Sequence, residues 1–195
     1  LSATDADAND ISITAASGDI VVGTVNAGTT AGDVTLTATD GAILDDANDG
    51  TTDISGDVVT LSAATGIGAS AGAGSLDTAA NSITAAVTGA GLINLNEANA
   101  VTLASVSTAN GPITITTGGT TVIGSVSSAT DADANDISIT AASGDIVVGT
   151  VNAGTTAGDV TLTATAGAIL DDANDGTTDI SGDVVTLSAA TGIDR

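Results

Sequence analysis

Short runs of alternating apolar and polar residues recur along the whole chain. Most runs begin with Gly or Asn followed by a polar residue or Pro, and then alternate Val or Ile with Thr or Ser. Alternation with period two places successive side chains on opposite faces of a strand. Each run therefore predicts a strand with one buried and one exposed face. The runs are residues 9–14, 32–37, 56–62, 81–85, 111–116 and 135–140.

The spacing of these runs predicts a coiled path for the chain. Their starts lie about 22 to 30 residues apart, and clusters of Gly, Asn, Asp and Ser between them supply turns. Val101-Thr102-Leu103, inside the longest interval, is a candidate for an extra strand. One coil cannot bury its own apolar face, but stacked coils form continuous apolar columns. The first predicted column is Ile11, Val34, Val59, Ile83, Ile113 and Ile137, and the second is Ile13, Leu36, Leu61, Ala85, Ile115 and Ile139.

This pattern predicts an all-β fold, a right-handed parallel β-helix (β-solenoid) of roughly eight coils over residues 1–195.

A longer repeat is superimposed on the succession of coils. Residues 2–67 recur as 128–193 with one difference, Asp40 against Ala166. Residues 2–127 are thus one full repeat unit of 126 residues, and 128–193 are a partial second unit. We expect further copies of the unit as partners, in the same chain or by self-association into fibres.

Composition narrows the classes of function. The chain has no His, Cys, Met, Trp, Tyr or Phe, and its formal net charge is -23 with a single basic residue, Arg195. Such a chain is repelled by phosphate backbones and anionic lipids, so we expect no nucleic-acid partner. No apolar run is long enough for membrane insertion. No nucleophile has a His or Lys partner, so we expect that the protein is not an enzyme.

The segments GDVTLTATDGAILDD (32–46), GDVVTLSAATGIG (56–68) and GPITITTGGTTVIGSV (111–126) resemble the repeats of filamentous haemagglutinin-like giant adhesins of Gram-negative bacteria. These adhesins are exported by two-partner secretion. The resemblance covers essentially the whole chain. It implies a right-handed parallel β-helix, an extracellular or cell-surface location, and a role in adhesion, aggregation or biofilm. It also implies a host or neighbouring cell surface as partner, and an export signal outside this segment.

Two stretches rich in Asp and Asn suggest calcium, the only cofactor that the sequence indicates. Alternating carboxylates and amides in a loop can present several oxygens to one ion. An EF-hand is incomplete here, because Asp10 replaces the turn glycine and no glutamate closes the loop. Solvated, turn-forming aspartates are the other interpretation. The candidate ligands are Asp5, Asp7, Asn9 and Asp10 with their copies Asp131, Asp133, Asn135 and Asp136, and Asp45, Asp46, Asn48 and Asp49 with their copies Asp171, Asp172, Asn174 and Asp175; Asp53 and Asp179 lie beside the second stretch.

The main prediction is a non-enzymatic structural or adhesive segment of a bacterial surface or extracellular filament protein, and two alternatives remain. Tandem β-sandwiches rigidified by calcium would also suit an adhesin, but a sandwich core about 10 Å thick is difficult to fill without aromatic residues. An ice- or surface-binding solenoid would need flat rows of hydroxyl groups. The candidate rows are Thr35, Thr37, Thr60, Ser62, Thr114 and Thr116.

Overall fold

The computed structural model describes residues 6–69, 74–173 and 175–194. These residues form strands and turns, and none of them forms a helix that could cross a membrane. The strands are β1 (Ile11–Ala15), β2 (Ile20–Val22), β3 (Val25–Asn26), β4 (Val34–Ala38), β5 (Ala42–Asp45), β6 (Ile54–Ala63), β7 (Gly66–Ile67), β8 (Leu76–Ala90), β9 (Ile93–Glu97), β10 (Val101–Asn110), β11 (Ile113–Thr117), β12 (Thr121–Ser128), β13 (Ile137–Ala141), β14 (Ile146–Asn152), β15 (Val160–Ala164), β16 (Ala168–Asp171), β17 (Ile180–Ser181), β18 (Val185–Ala189) and β19 (Gly192–Ile193).

All strand pairings among the described residues are parallel, and each strand pairs with the strand one coil away. The chain therefore winds into a β-solenoid of about seven turns, which confirms the predicted parallel β-helix. The β-sandwich alternative is wrong, because its two facing layers would be built from antiparallel strands. The predicted strand at Val101 is confirmed as β10.

The core is a narrow stack of Val, Ile, Leu and Ala side chains. In β4, β13 and β15 every second residue is buried and the residues between are half-buried, as period-two alternation predicts. Val34 and Leu36 are completely buried. Burying one such side chain contributes about 1.5–3 kcal/mol. β-Branched residues suit this pleated surface, so the core is filled without aromatic rings.

Two faces run along the solenoid. We call front face the strands in register with β4, namely β1, the later halves of β6 and β8, β10, β12, β14, β16, β17 and β19. We call back face the succession β2, β5, β7, β9, β11, β13, β15 and β18. The front column is Ile11, Val34, Val59, Ile83, Leu103, Ile123 and Val148.

The predicted columns are correct as far as Ile83 and wrong beyond it. Leu103, not Ile113, stacks on Ile83, while Ile113 and Ile137 belong to a back-face column that includes Ile93. The cause is coil length: 23 to 25 residues separate the first four members of the front column, but only 20 separate Ile83 from Leu103. The back face is consequently reached earlier in the sequence than a constant coil length implies.

Equivalent residues of the two repeat copies therefore lie on opposite faces of the solenoid. Residues 11–15 and 137–141 have the same sequence, ISITA, yet the first is on the front face and the second on the back face. Five turns lead from Ile11 to Ile123 and a sixth ends at Val148, with Ile137 between them. One repeat unit thus spans about five and a half turns.

Identical residues differ in burial according to whether a coil covers them. Ile13 in the first coil is 39% exposed, whereas its copy Ile139 is completely buried. Conversely, Val59 is completely buried and its copy Val185, in the last coil, is 42% exposed. Local sequence is the same within each pair, so burial is conferred by stacking on both sides.

This difference predicts unequal costs for one substitution at two matched positions. Ile139→Ala should lower the free energy of unfolding by about 3 kcal/mol, because it leaves a cavity between two coils. Ile13→Ala should cost about 1 kcal/mol or less, because that side chain is partly in water. Urea denaturation followed by far-UV circular dichroism measures both, and equal losses would contradict the stacking explanation.

Candidate functional site

Most of the aspartates with a defined partner bind backbone amides, and many of these amides belong to the next coil. Asp10 Oδ1 accepts a hydrogen bond from the Asp33 amide at 3.0 Å, and Asp33 Oδ1 accepts one from Val58 at 3.1 Å. Val58, not Asp57, follows Asp33 in the register, so Asp57 lies one residue out of line with Asp10 and Asp33. Four equivalent hydrogen bonds run from a backbone amide to the aspartate one coil earlier: Asp159 to Asp136, Val184 to Asp159, Ala42 to Asp19, and Ala168 to Asp145.

Asp131 holds an entire turn of the next coil. Its Oδ2 accepts hydrogen bonds from the amides of Thr155 and Thr156, and its Oδ1 accepts those of Ala157 and Gly158, at 2.9–3.0 Å. These donors, Gly158 foremost, lower the pKa of Asp131 to about 2. Both of its oxygens are engaged by backbone, so Asp131 anchors a turn.

The rest of the first candidate stretch is dispersed. Asp7, Asp10, Asp133 and Asp136 are exposed and Asn9 is half-buried, whereas Asp5 lies outside the described residues. Asn135 is 3% exposed, and its Nδ2 donates to Asn110 Oδ1 and the Thr130 carbonyl. The described carboxylates of this stretch form no group of three that could share an ion. Calcium binding at this stretch stays a prediction.

The second candidate stretch forms the same tight turns in both copies. Asp45 Oδ1 accepts the Ala47 amide at 2.9 Å, and Asp49 Oδ1 accepts the amide and the hydroxyl of Thr51. The hydroxyl bond is the main cause of the lowered pKa of Asp49. Asp171 and Asp175 repeat these bonds with Ala173 and Thr177. Asp46 and Asp172 are exposed, Asn48 has a left-handed φ of 52°, and Asn174 lies outside the described residues.

One group of three carboxylates in the described part of the chain is close enough to share an ion: Asp45, Asp53 and Asp77, which we call the acidic triad. One carboxylate oxygen of each lies within 4.8 Å of the other two. Asp45 ends β5, Asp53 immediately precedes β6, and Asp77 is in β8, one coil further on. The turn between β5 and β6 brings the first two together, and strand stacking adds the third.

Burial raises the free energy of the ionised form of the triad. Asp53 is 2% exposed and Asp77 is 4% exposed. Burial raises the pKa of Asp53 to about 6, with the charges of Asp45 and Asp77 adding to the effect. Burial also raises the pKa of Asp77. Desolvated carboxylates near one another are stabilised by protons or by cations.

Two acidic residues of this region were missed in the sequence. Asp77 was not a candidate, although it lies 24 residues after Asp53, one coil length, in register with it. Glu97 looks like an isolated surface acid but is completely buried, and burial raises its pKa. Its Oε2 accepts the Thr78 hydroxyl and the Ala80 amide, and its Oε1 accepts the Asn99 amide. Glu97 thus crosslinks neighbouring coils.

The candidate hydroxyl rows do not form one surface. Thr35 and Thr60 are paired on the front face, together with Thr37 and Ser62. Thr114 and Thr116 are on the back face, where they pair with residues of β9 and β13. The candidate residues therefore do not line one flat face, because the shorter coil after Ile83 places Thr114 and Thr116 on the back face.

Asp131 gives a test of the anchoring role at a matched pair of positions. Asp131→Asn should destabilise the protein near neutral pH, because two of four backbone amides lose their acceptor, whereas the exposed Asp133→Asn should have little effect. The folded pKa of about 2 lies below the unfolded value, so the difference from the wild type should be complete above about pH 5 and disappear as the pH falls towards 2. Urea denaturation at several pH values measures this, and a constant difference would contradict the assignment.

No model of a known protein family, no curated protein and no solved structure matches this chain. The solenoid and the carboxylate arrangement are therefore the basis for assigning a function.

Proposed function

We propose that this chain is a non-enzymatic structural segment of an extracellular repeat protein, a rigid acidic spacer of the filamentous haemagglutinin-like type. In this role the solenoid sets the distance between the cell and whatever the whole protein contacts. Its partners are further copies of the repeat and, for the complete protein, a host or neighbouring cell surface. Export to the cell surface is part of the proposal.

The contrast between copies of the same residues is the observation that supports the proposal best. Ile139 and Val59, between two coils, are completely buried, while Ile13 and Val185 at the ends are exposed. Each added repeat covers an apolar edge and creates a new one, so a tandem array is favoured over an isolated unit. An object that grows in one direction by repetition suits a stalk or filament.

The use of carboxylates is consistent with a structural role. Asp10, Asp33 and Asp131 bind backbone amides of the adjacent coil, and buried Glu97 does the same with Ala80. These aspartates and Glu97 join coils to one another. The net charge of -23 keeps parallel rods apart in solution and favours extended, well-hydrated filaments.

Arrays of one, two and four repeat units, displayed on a cell surface with an epitope tag at the distal end, test this function. Strand spacing of about 4.8 Å and about five and a half turns predict that each unit adds about 26 Å to the rod. Electron microscopy should show this increment, and tag-mediated adhesion to a coated surface should increase with unit number.

An array with Ile139→Asp at the equivalent position of every unit is the matched control, because a charge between coils breaks the stack. It should lose both the rod and the gain in adhesion. Adhesion that is independent of unit number, or that survives loss of the rod, would contradict the spacer role.

A further inference from the structure

The described residues satisfy only half of the carboxylate oxygens of the acidic triad with hydrogen bonds. Each carboxylate uses one oxygen for a hydrogen bond: Asp45 Oδ1 from the Ala47 amide, Asp53 Oδ2 from the Asp77 amide, and Asp77 Oδ1 from the Asn96 side chain. No described residue donates to the second oxygen of any of the three. Three oxygens, one from each residue, are thus left without donors.

One of these oxygens is unusual for a folded protein. Asp45 Oδ2 is buried, and among the described side-chain atoms it is the buried oxygen without a hydrogen-bond partner. Such an atom carries a large desolvation cost unless something binds it, so it points to a ligand with positive charge. The two companion side chains are 2% and 4% exposed, so these two carboxylates lie within the solenoid wall and differ from the aspartates on the surface.

The chain has almost no positively charged side chain that could neutralise the acidic triad. Its single basic side chain is Arg195, against 24 acidic residues. Asp46 and Asp49 add further negative potential at Asp53 and Asp77, respectively. A cation from solution would therefore be attracted to the acidic triad. It would meet three carboxylate oxygens held by the end of β5, the turn before β6, and β8.

We propose that the acidic triad binds one calcium ion, which clamps the turn between β5 and β6 to the next coil. Calcium prefers carboxylate oxygens at 2.3–2.6 Å, so oxygens around one ion lie up to about 5 Å apart. The three carboxylate oxygens lie within 4.8 Å of one another, which is inside this spread. Magnesium demands near-ideal octahedral geometry and loses its water reluctantly, so carboxylates fixed on separate parts of the backbone suit calcium better. Water molecules complete the coordination. The site does not depend on the proposed spacer role.

The repeat supplies an internal control. Asp171 and Asp179 are the copies of Asp45 and Asp53, and the residues around them have the same sequence. Among the described residues, no third carboxylate joins Asp171 and Asp179 in a group that could share an ion. Asp179 is also more exposed than Asp53. The described part of the chain therefore contains one complete triad and one incomplete pair.

Calcium titration with matched variants tests the proposal. Isothermal titration calorimetry should detect one site per chain with a dissociation constant of about 10⁻⁴ to 10⁻³ M, as in extracellular calcium modules. Asp53→Asn and Asp77→Asn should weaken this binding at least tenfold. Asp179→Asn removes the same charge from the incomplete pair and should leave the dissociation constant unchanged.

Thermal unfolding followed by far-UV circular dichroism provides a second measurement. At about 100-fold excess over the dissociation constant, CaCl₂ should raise the Tm by about 5–10 °C relative to EDTA. In EDTA, Asp53→Asn should melt higher than the wild type, because it removes a buried charge, so loss of binding is distinguishable from misfolding. Equal calcium shifts in Asp53→Asn and Asp179→Asn would show diffuse surface binding and overturn the proposal. No shift in the wild type, or an equal shift with MgCl₂, would overturn the calcium site.

Discussion

In-register stacking of inward side chains between successive coils is the interaction on which this structure depends. A single coil offers only about one residue in two to the interior, and most of those residues are Val, Ile, Leu or Ala. Each acquires a full set of neighbours only when like residues lie above and below it. The completely buried Ile139 and its exposed copy Ile13 show this directly. Stability is therefore a property of neighbouring coils, not of any one segment.

Stacking also explains why the chain is so rich in aspartate. Where coils turn, strand pairing leaves backbone amides that need acceptors. A short carboxylate in one coil reaches the amide of the next, as Asp19 does with Ala42 and Asp145 with Ala168. The same register that makes this useful on the surface brings carboxylates together inside the wall at Asp53 and Asp77. There the carboxylates are buried and repel each other, and a bound cation would offset this repulsion.

Period-two alternation predicted the main strands, because side-chain direction is a local property. The recurrence of these runs with turn residues between them predicted the parallel winding, because stacked coils bury the apolar faces. Column membership was predictable only while coil length stayed near 24 residues. Matching the motif at 113–116 to the front face ignored the shorter coils on either side of Leu103. The triad needed the same information, since Asp77 becomes a neighbour of Asp53 only once the register of β6 and β8 is known. Burial of Glu97 was not predictable, because its local sequence is polar.

Coil length, more than composition, decides which side of the rod a feature occupies. Asp45 ends a back-face strand, while its copy Asp171 ends β16, which pairs with the front-face strand β14. The same sequence fits both faces because each face needs only alternating small apolar residues, so the core does not oppose the half-turn. The two short coils after Ile83 set that half-turn. A change of a few residues there would rotate the following repeat, with all its turns and carboxylates, while leaving its interior unchanged. The position of turns and carboxylates on the surface can therefore change without a change in core packing. The number of residues between strands controls that position.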